Sequence, residues 1–265
     1  MTECDKMRVE FANISIGAAM SKQDNLVTAA VVMIGDEVLS GRTQDKNLSF
    51  IAGFLGDIDI QVEEARIVPD NQFRIVEAVN ALRSQYDYIF TTGGIGPTHD
   101  DITADAIAAA FNVSIDFNEE AMAILRQRYD EKDLNDARMR MARIPHGASL
   151  IENPVSKAPG FQIENVFVLA GVPKIMQAMM GCLAPRLKGG AKMLSRTVRC
   201  NLGEGRVAAG LKTLQSRFPT VALASYPFFE KDGMGTNLVA RSTDEAALNR
   251  AEEALKAMVA STNDH

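Results

Sequence analysis

Leu26–Ile34, LVTAAVVMI, carries no charged residue along its whole length. A run of strand length that is apolar on both faces suits the middle of a parallel sheet covered by helices on both sides. Its carboxyl end meets Gly35-Asp36-Glu37. A helix pattern follows over Gln44–Leu55, with Leu48, Ile51, Ala52 and Leu55 on one face. The same order then recurs. Ile60–Val68 reads as a strand near a sheet edge because its middle is charged. Pro69-Asp70-Asn71 follows, then a helix over Gln72–Arg83 with Ile75, Val76 and Val79 inward. Asp87–Thr92 is a further strand, leading through a glycine loop into an alanine-rich helix, Ala104–Phe111. Strand–loop–helix units in series predict an α/β fold with a doubly wound, Rossmann-like, mostly parallel sheet and right-handed crossovers.

In such sheets ligands bind beyond the carboxyl ends of the strands. The stretch Tyr88–Asp105, YIFTTGGIGPTHDDITAD, therefore holds the most informative loop. A strand feeding a glycine turn and then a helix start presents unpaired N–H groups and the positive end of a helix dipole to an anion. Gly93, Gly94 and Gly96 let the backbone turn sharply and approach a ligand, and the amides from Thr92 to Thr98 are the candidate phosphate cradle. Asp100 and Asp101 beside a phosphate would repel it unless a cation sits between them. That implies a divalent metal with oxygen ligands, Mg²⁺ or similar, with Asp36, Asp100 and Asp101 as candidate ligands. The loop is neither a dinucleotide fingerprint, which needs Gly in place of His99, nor a Walker A loop. Gly35, Asp36 and Glu37 are candidates for ligand contact, with a plain capping turn as the alternative. Asp70 is either the cap of the following helix or a carboxylate held over the strand ends near Asp101. His99 is a candidate ligand or proton donor inside the loop.

Further along, Asn118–Tyr129 and Leu134–Arg143 read as helices, the second bearing Arg138, Arg140 and Arg143. Such a set faces an anion, a neighbouring subunit or simply solvent. Ser149–Glu152 and Asn165–Leu169 read as strands, with a loop over Asn153–Phe161. Gly171 marks a second tight turn, before Pro173 and a helix over Lys174–Leu187. Lys188-Gly189-Gly190 has the composition of a linker. A strand–helix–strand–strand–helix order then predicts a small α+β domain of roughly 70 residues. The expected organisation is an extension over 1–25, a main domain over 26–190 and the small domain over 191–262.

The balance of 28 basic against 34 acidic residues, net −6, argues against general nucleic-acid binding. No apolar run reaches the length of a membrane span. Cys4, Cys182 and Cys200 are widely separated and form no CxxC, so thiolate-metal and disulfide frameworks are not expected. The N-terminus lacks the pattern of a secretory signal, and the expected compartment is the cytoplasm.

TTGGIGPTHDDIT, with GDEVLSGRTQDKN upstream and VLAGVPK downstream, resembles the molybdopterin-binding (MoaB/Mog) domain family. The histidine form of the loop is similar to the CinA-type branch and to the related domain of eukaryotic FAD synthases. The resemblance covers residues 26–190, and the remainder resembles the small KH-like domain that follows in CinA proteins. It implies a three-layer α/β fold, a crevice for a phosphate-bearing nucleotide or pterin, and self-association into a homo-oligomer. It further implies Asp70 and Asp101 as a catalytic pair and metal-dependent cleavage of a pyrophosphate such as ADP-ribose or FAD. Two alternatives stay open. One is a protein of molybdenum-cofactor biosynthesis that binds or adenylylates molybdopterin; the other is a non-catalytic nucleotide-binding module. Ala170 and Lys174 depart from the proline and acid that the family usually carries at those positions. No amidase domain of the kind that completes many CinA proteins is read here, so deamidase activity is not expected of this polypeptide.

Overall fold

The computed structural model describes residues 26–230 and 233–263, so the reading of residues 1–25 as an extension lies outside them. The first half alternates as the sequence pattern implies: β1 (Val27–Ile34), α1 (Asp36–Leu39), α2 (Asn47–Asp57), β2 (Ile60–Val68), α3 (Gln72–Arg83), β3 (Tyr88–Thr92) and α4 (Thr103–Phe111). Then come β4 (Ile115–Phe117), α5 (Glu119–Arg128), α6 (Asp136–Met139), β5 (Arg143–Pro145), β6 (Ser149–Ile151), β7 (Gly160–Ile163), β8 (Val166–Leu169) and α7 (Pro173–Leu183). The last part contains β9 (Leu194–Cys200), α8 (Glu204–Arg217), β10 (Ala222–Glu230), β11 (Gly233–Ser242) and α9 (Glu245–Asn263).

The main sheet has the order β2-β1-β3-β8-β7-β6, with the charged β2 at one edge. Strands β2, β1, β3 and β8 run parallel; β7 pairs antiparallel with β8, and β6 antiparallel with β7. The apolar run of β1 splits by its period of two. Ala30, Val32 and Ile34 pack into one core with Ile75, Val79 and Leu82 of α3 and Ile107 of α4. Ala29, Val31 and Met33 pack into the other with Ile51 and Leu55 of α2 and the methionines of α7. Helices on both faces make the fold three-layered, which is why a strand here tolerates no polar side. Phe90 of β3 stacks on Phe167 of β8 with ring centroids 5.1 Å apart. Such a pair adds about 1 kcal/mol beyond area burial and helps fix the register between the strands that carry the glycine turns.

Residues after the main sheet form a separate antiparallel sheet, β10-β11-β9, backed by α8 and α9 around Val198, Val207, Leu238, Leu248 and Leu255. Among the described residues no helix is long and apolar enough to cross a membrane.

Three local expectations need correction. Leu134–Arg143 is not a continuous helix: α6 spans Asp136–Met139, a tight turn follows, and Arg143 starts β5. The chain bends there because the Arg143 guanidinium is drawn to Asp105 of α4, with bonds of 2.9 and 2.7 Å. Gly160 and Phe161, expected as the end of a loop, open β7 (Gly160–Ile163), because Phe161 and Ile163 are buried against the sheet. The helix expected to run to Leu187 stops at Leu183.

Candidate functional site

The glycine loop is fixed from three sides. The Gly93 N–H donates to Leu169 O at 3.2 Å, joining β3 to β8. Thr103, fully buried at the start of α4, donates its hydroxyl to Gly93 O at 2.9 Å and its N–H to Gly94 O at 3.0 Å. Gly93 (φ 109°) and Gly94 (φ 65°) both occupy the left-handed half of conformational space. The α4 start itself has no side-chain cap. Its first N–H groups are thus left to water or a ligand, except where Gly94 O accepts.

Asp70 is not the cap of α3. Asn71 fills that place, accepting from the Arg74 N–H at 3.2 Å. The Asp70 carboxylate instead accepts from the Asp36 N–H at 3.0 Å, so it bridges the loops after β2 and β1. A Cβ placed on Gly94 would lie 3.5 Å from Asp70 Oδ1, which sets this carboxylate against the glycine loop. Burial pushes the Asp70 carboxyl above the usual aspartate range. The Asp36 N–H bond works against that shift, and the charges of Glu37, Asp36 and Asp100 reinforce it. A carboxyl whose folded pKa lies above its unfolded value costs stability as pH rises through the folded value, and nothing when both states are protonated. Asp70→Asn keeps an acceptor for the Asp36 N–H and removes the charge. It is therefore expected to melt above the parent at neutral pH, with the gain vanishing as the pH falls through the ordinary aspartate range. Melts of both proteins across that range test this; a variant less stable at neutral pH would contradict it.

Asp101 holds the other end of the loop. Its Oδ2 accepts from the Thr98 N–H at 2.8 Å and the Thr98 hydroxyl at 2.6 Å. A Cβ on Gly96 would come within 2.7 Å of the same oxygen. Asp101 lines a cleft of about 560 Å³ together with Gly93, Gly94 and Gly96 on one wall, Glu37 and Thr43 on a second, and Gly171 and Val172 on a third. Ile95, Pro97, Tyr129, Met141 and Ile175 make the rest largely apolar. Arg138 brings a guanidinium to this lining, and it stacks on Tyr129 at 4.4 Å from the ring centroid.

Several sequence candidates thus meet and others do not. Gly93, Gly94, Gly96, Glu37, Gly171 and Asp101 share the cleft. The Thr92 side chain does not reach it: Thr92 is buried, donates to Ala170 O at 3.0 Å and accepts from Asn47 Nδ2 at 2.8 Å. The Thr98 N–H is spent on Asp101 rather than offered to an anion. Asp100 projects from the loop beside His99, whose side chain is 99% exposed. Gly35 donates to Val68 O at 3.1 Å and supports the turn into Asp36.

Asn47, Tyr129 and Asn153 were not singled out from sequence, and Arg138 was read only as one of three arginines that face an anion, a neighbouring subunit or solvent. Asn47 is 6% exposed, and its Nδ2 bonds both Thr92 Oγ1 and Gly171 O at 2.8 Å. It ties the two tight turns together, and its only sequence signal is a polar residue on the inward face of α2. Asn153 is 3% exposed; it donates to Ala158 O at 2.8 Å and accepts from the Val155 and Ser156 N–H groups at 3.1 Å.

Among the described residues, no group of three or more His, Cys, Asp or Glu side chains is placed as a metal cage. The charges of Glu37, Asp36 and Asp100 do reach Asp70, so negative charge gathers beside the glycine loop.

Residues 30–189, more than half of the chain, match the family model described as a probable molybdopterin binding domain. The chain belongs to the molybdopterin-binding domain family. Within this family, a protein of Caldivirga maquilingensis is 38% identical over 166 residues, 60% of this chain and 65% of that protein. A CinA-like protein of Desulforapulum autotrophicum is 32% identical over 237 residues, 79% of this chain and 56% of that protein. The aligned parts thus span less than two thirds of each of these relatives. The crystal structure of the protein CinA, of unknown function, from Thermoplasma acidophilum superposes with a TM-score of 0.58 at 34% identity. It covers 60% of this chain and 96% of that one. Residues 192–263 of this family member match the model of the FAD synthase middle domain.

Proposed function

We propose that this molybdopterin-binding-domain protein is a divalent-cation-dependent hydrolase of nucleotide pyrophosphates of the ADP-ribose and FAD type. One observation carries the reading: the Gly93–Gly96 loop and Asp101 share a single cleft whose other walls are apolar enough for a heterocycle. The likeness of residues 192–263 to the FAD synthase middle domain supports a dinucleotide over a lone pterin. In this reading the amides around Gly94–Gly96 bind the phosphate undergoing attack. Asp101, with Asp36 or Asp100, would hold the cation. The cation, when bound, neutralises pyrophosphate charge and activates water. Asp70, with its pKa raised, orients the water and accepts its proton. Tyr129 and Ile175 flank the base, and Arg138 offers a cation to the second phosphate. The expected product is AMP, in the cytoplasm, from a self-associating protein.

The test is AMP release from ADP-ribose and from FAD in the presence of Mg²⁺, Mn²⁺, Co²⁺ or Ni²⁺. Turnover of either substrate that chelation abolishes is the expected result. Nucleotide binding with no cleavage under any ion would leave a binding module, and ATP-dependent modification of molybdopterin would select the adenylylating alternative.

A further inference from the structure

A second cavity, of about 540 Å³, adjoins the first. Asn153 lines both, and the loop it organises is the wall between them. The second cavity has a different character. Arg128, Lys157 and Arg186 line it, along with Glu120 and Glu152. None of the three cations lies within ion-pair distance of a carboxylate among the described residues, although the chain is net acidic.

The backbone of Lys157 takes a left-handed conformation, φ 67°, with its main-chain N–H donating to Asn153 O at 3.1 Å. Arg186 donates to Leu150 O at 2.8 Å, pinned to the edge strand β6. The third connects the cavities. Tyr129, in the wall of the first, has Arg138 at 4.4 Å and Arg128 at 5.6 Å from its ring centroid. Arg138 lines the first cavity and Arg128 the second. A basic track thus runs from the glycine-loop cleft, past Tyr129 and the Asn153 loop, to Lys157 and Arg186.

We infer that the second cavity is a subsite for the far end of the same ligand, selective for a phosphate monoester borne on it. This rests on the proposed binding of a nucleotide pyrophosphate at the glycine loop. A ligand confined to one cavity needs no unpaired cations in the other. A dinucleotide-sized ligand with an additional phosphate would place dianionic oxygens where Arg128 and Lys157 can donate charge-assisted hydrogen bonds. Glu120 and Glu152 oppose any anion there, so the ligand group must engage the cations directly; a phosphate monoester, with two charges and three terminal oxygens, offers the three cations more acceptors than a carboxylate does.

The experiment compares ADP-ribose with 2′-phospho-ADP-ribose, titrated calorimetrically into the full chain without divalent metal, so that binding is read apart from cleavage. The extra phosphate should lower Kd about tenfold or more in the parent. In an Arg128→Ala, Lys157→Ala double variant the ratio should fall toward one. Both side chains are exposed, and an unchanged melt verifies that the variant folds. Equal affinities in the parent, a preference that survives the double substitution, or no binding of either ligand would each overturn the subsite. Tighter binding of the phosphorylated ligand without cleavage of either would keep the subsite and reject the hydrolase. Cleavage of both with equal affinity would do the reverse.

Discussion

Gly93→Ala is expected to abolish any activity at the cleft and to lower the melting temperature by about 5–15 °C, corresponding to roughly 2–5 kcal/mol. Two penalties add at this position. The backbone φ of 109° lies in the region that side chains rarely adopt, and a Cβ would stand 2.1 Å from the carbonyl oxygen of Ile34. That carbonyl belongs to the end of β1, inside the sheet between β2 and β3, so relief requires β3 and β1 to separate or the loop to swing outward. Either movement breaks the Gly93 N–H bond to Leu169 and displaces the amides that face the cleft. Gly41 makes the control. Its φ of 71° is also positive, but a Cβ there meets nothing within 4 Å. Gly41→Ala should therefore cost only about 1 kcal/mol, the conformational part alone. Thermal melts and nucleotide titrations of both variants separate the two terms. Equal and small effects at the two positions would mean that the loop yields, and that its close approach to β1 is not what shapes the site.

The same position shows why the loop was legible in the sequence. Glycines between a strand and a helix have few explanations, and β1 had to be central because no solvated face could be drawn on it. Asp70 was harder. Asp70 and Asn71 are adjacent and both are good caps; which one closes α3 depends on backbone angles that the sequence does not encode, and Asn71 takes the extended conformation (φ −134°) that a cap requires. Only then is Asp70 released to bridge toward Asp36. The stretch Leu134–Arg143 carries good helix formers, yet the Asp105–Arg143 pair, 38 residues apart, outweighs local propensity and turns the last residue into strand. Tyr129, Arg138 and Asn153 line the cleft from separate segments, and Asn47 ties together two of the turns beside it. Each has an unremarkable local setting, so nothing short of the folded arrangement joins them. Thr92 failed for a related reason: a strand-end threonine reads equally well as a ligand contact and as a buried clamp, and the partner that decides, Asn47, lies 45 positions away.

Asp101→Asn and Asp70→Asn are expected to cut nucleotide pyrophosphate cleavage by about 10²–10⁴-fold each, for different reasons and with different signatures. An asparagine at 101 still presents an oxygen to the Thr98 N–H and hydroxyl, so the loop should keep its shape and nucleotide affinity should change little. What is lost is the negative charge that shares a cation with the ligand. The deficit should therefore fall in kcat and narrow as the cation concentration is raised. An asparagine at 70 removes the group assigned to take the water proton. In the parent, the rate should fall on the acidic side as Asp70 is protonated, at a pH above the ordinary aspartate range because burial raises its pKa. In the variant that acidic limb should disappear while the protein becomes more stable at neutral pH, opposite movements in activity and stability. The two carboxylates act on one event, so the double variant should be scarcely slower than the worse single one. Full additivity would place them in independent steps, and an Asp101→Asn protein that cleaved ADP-ribose and FAD at the parent's rate would remove Asp101 from the reaction altogether.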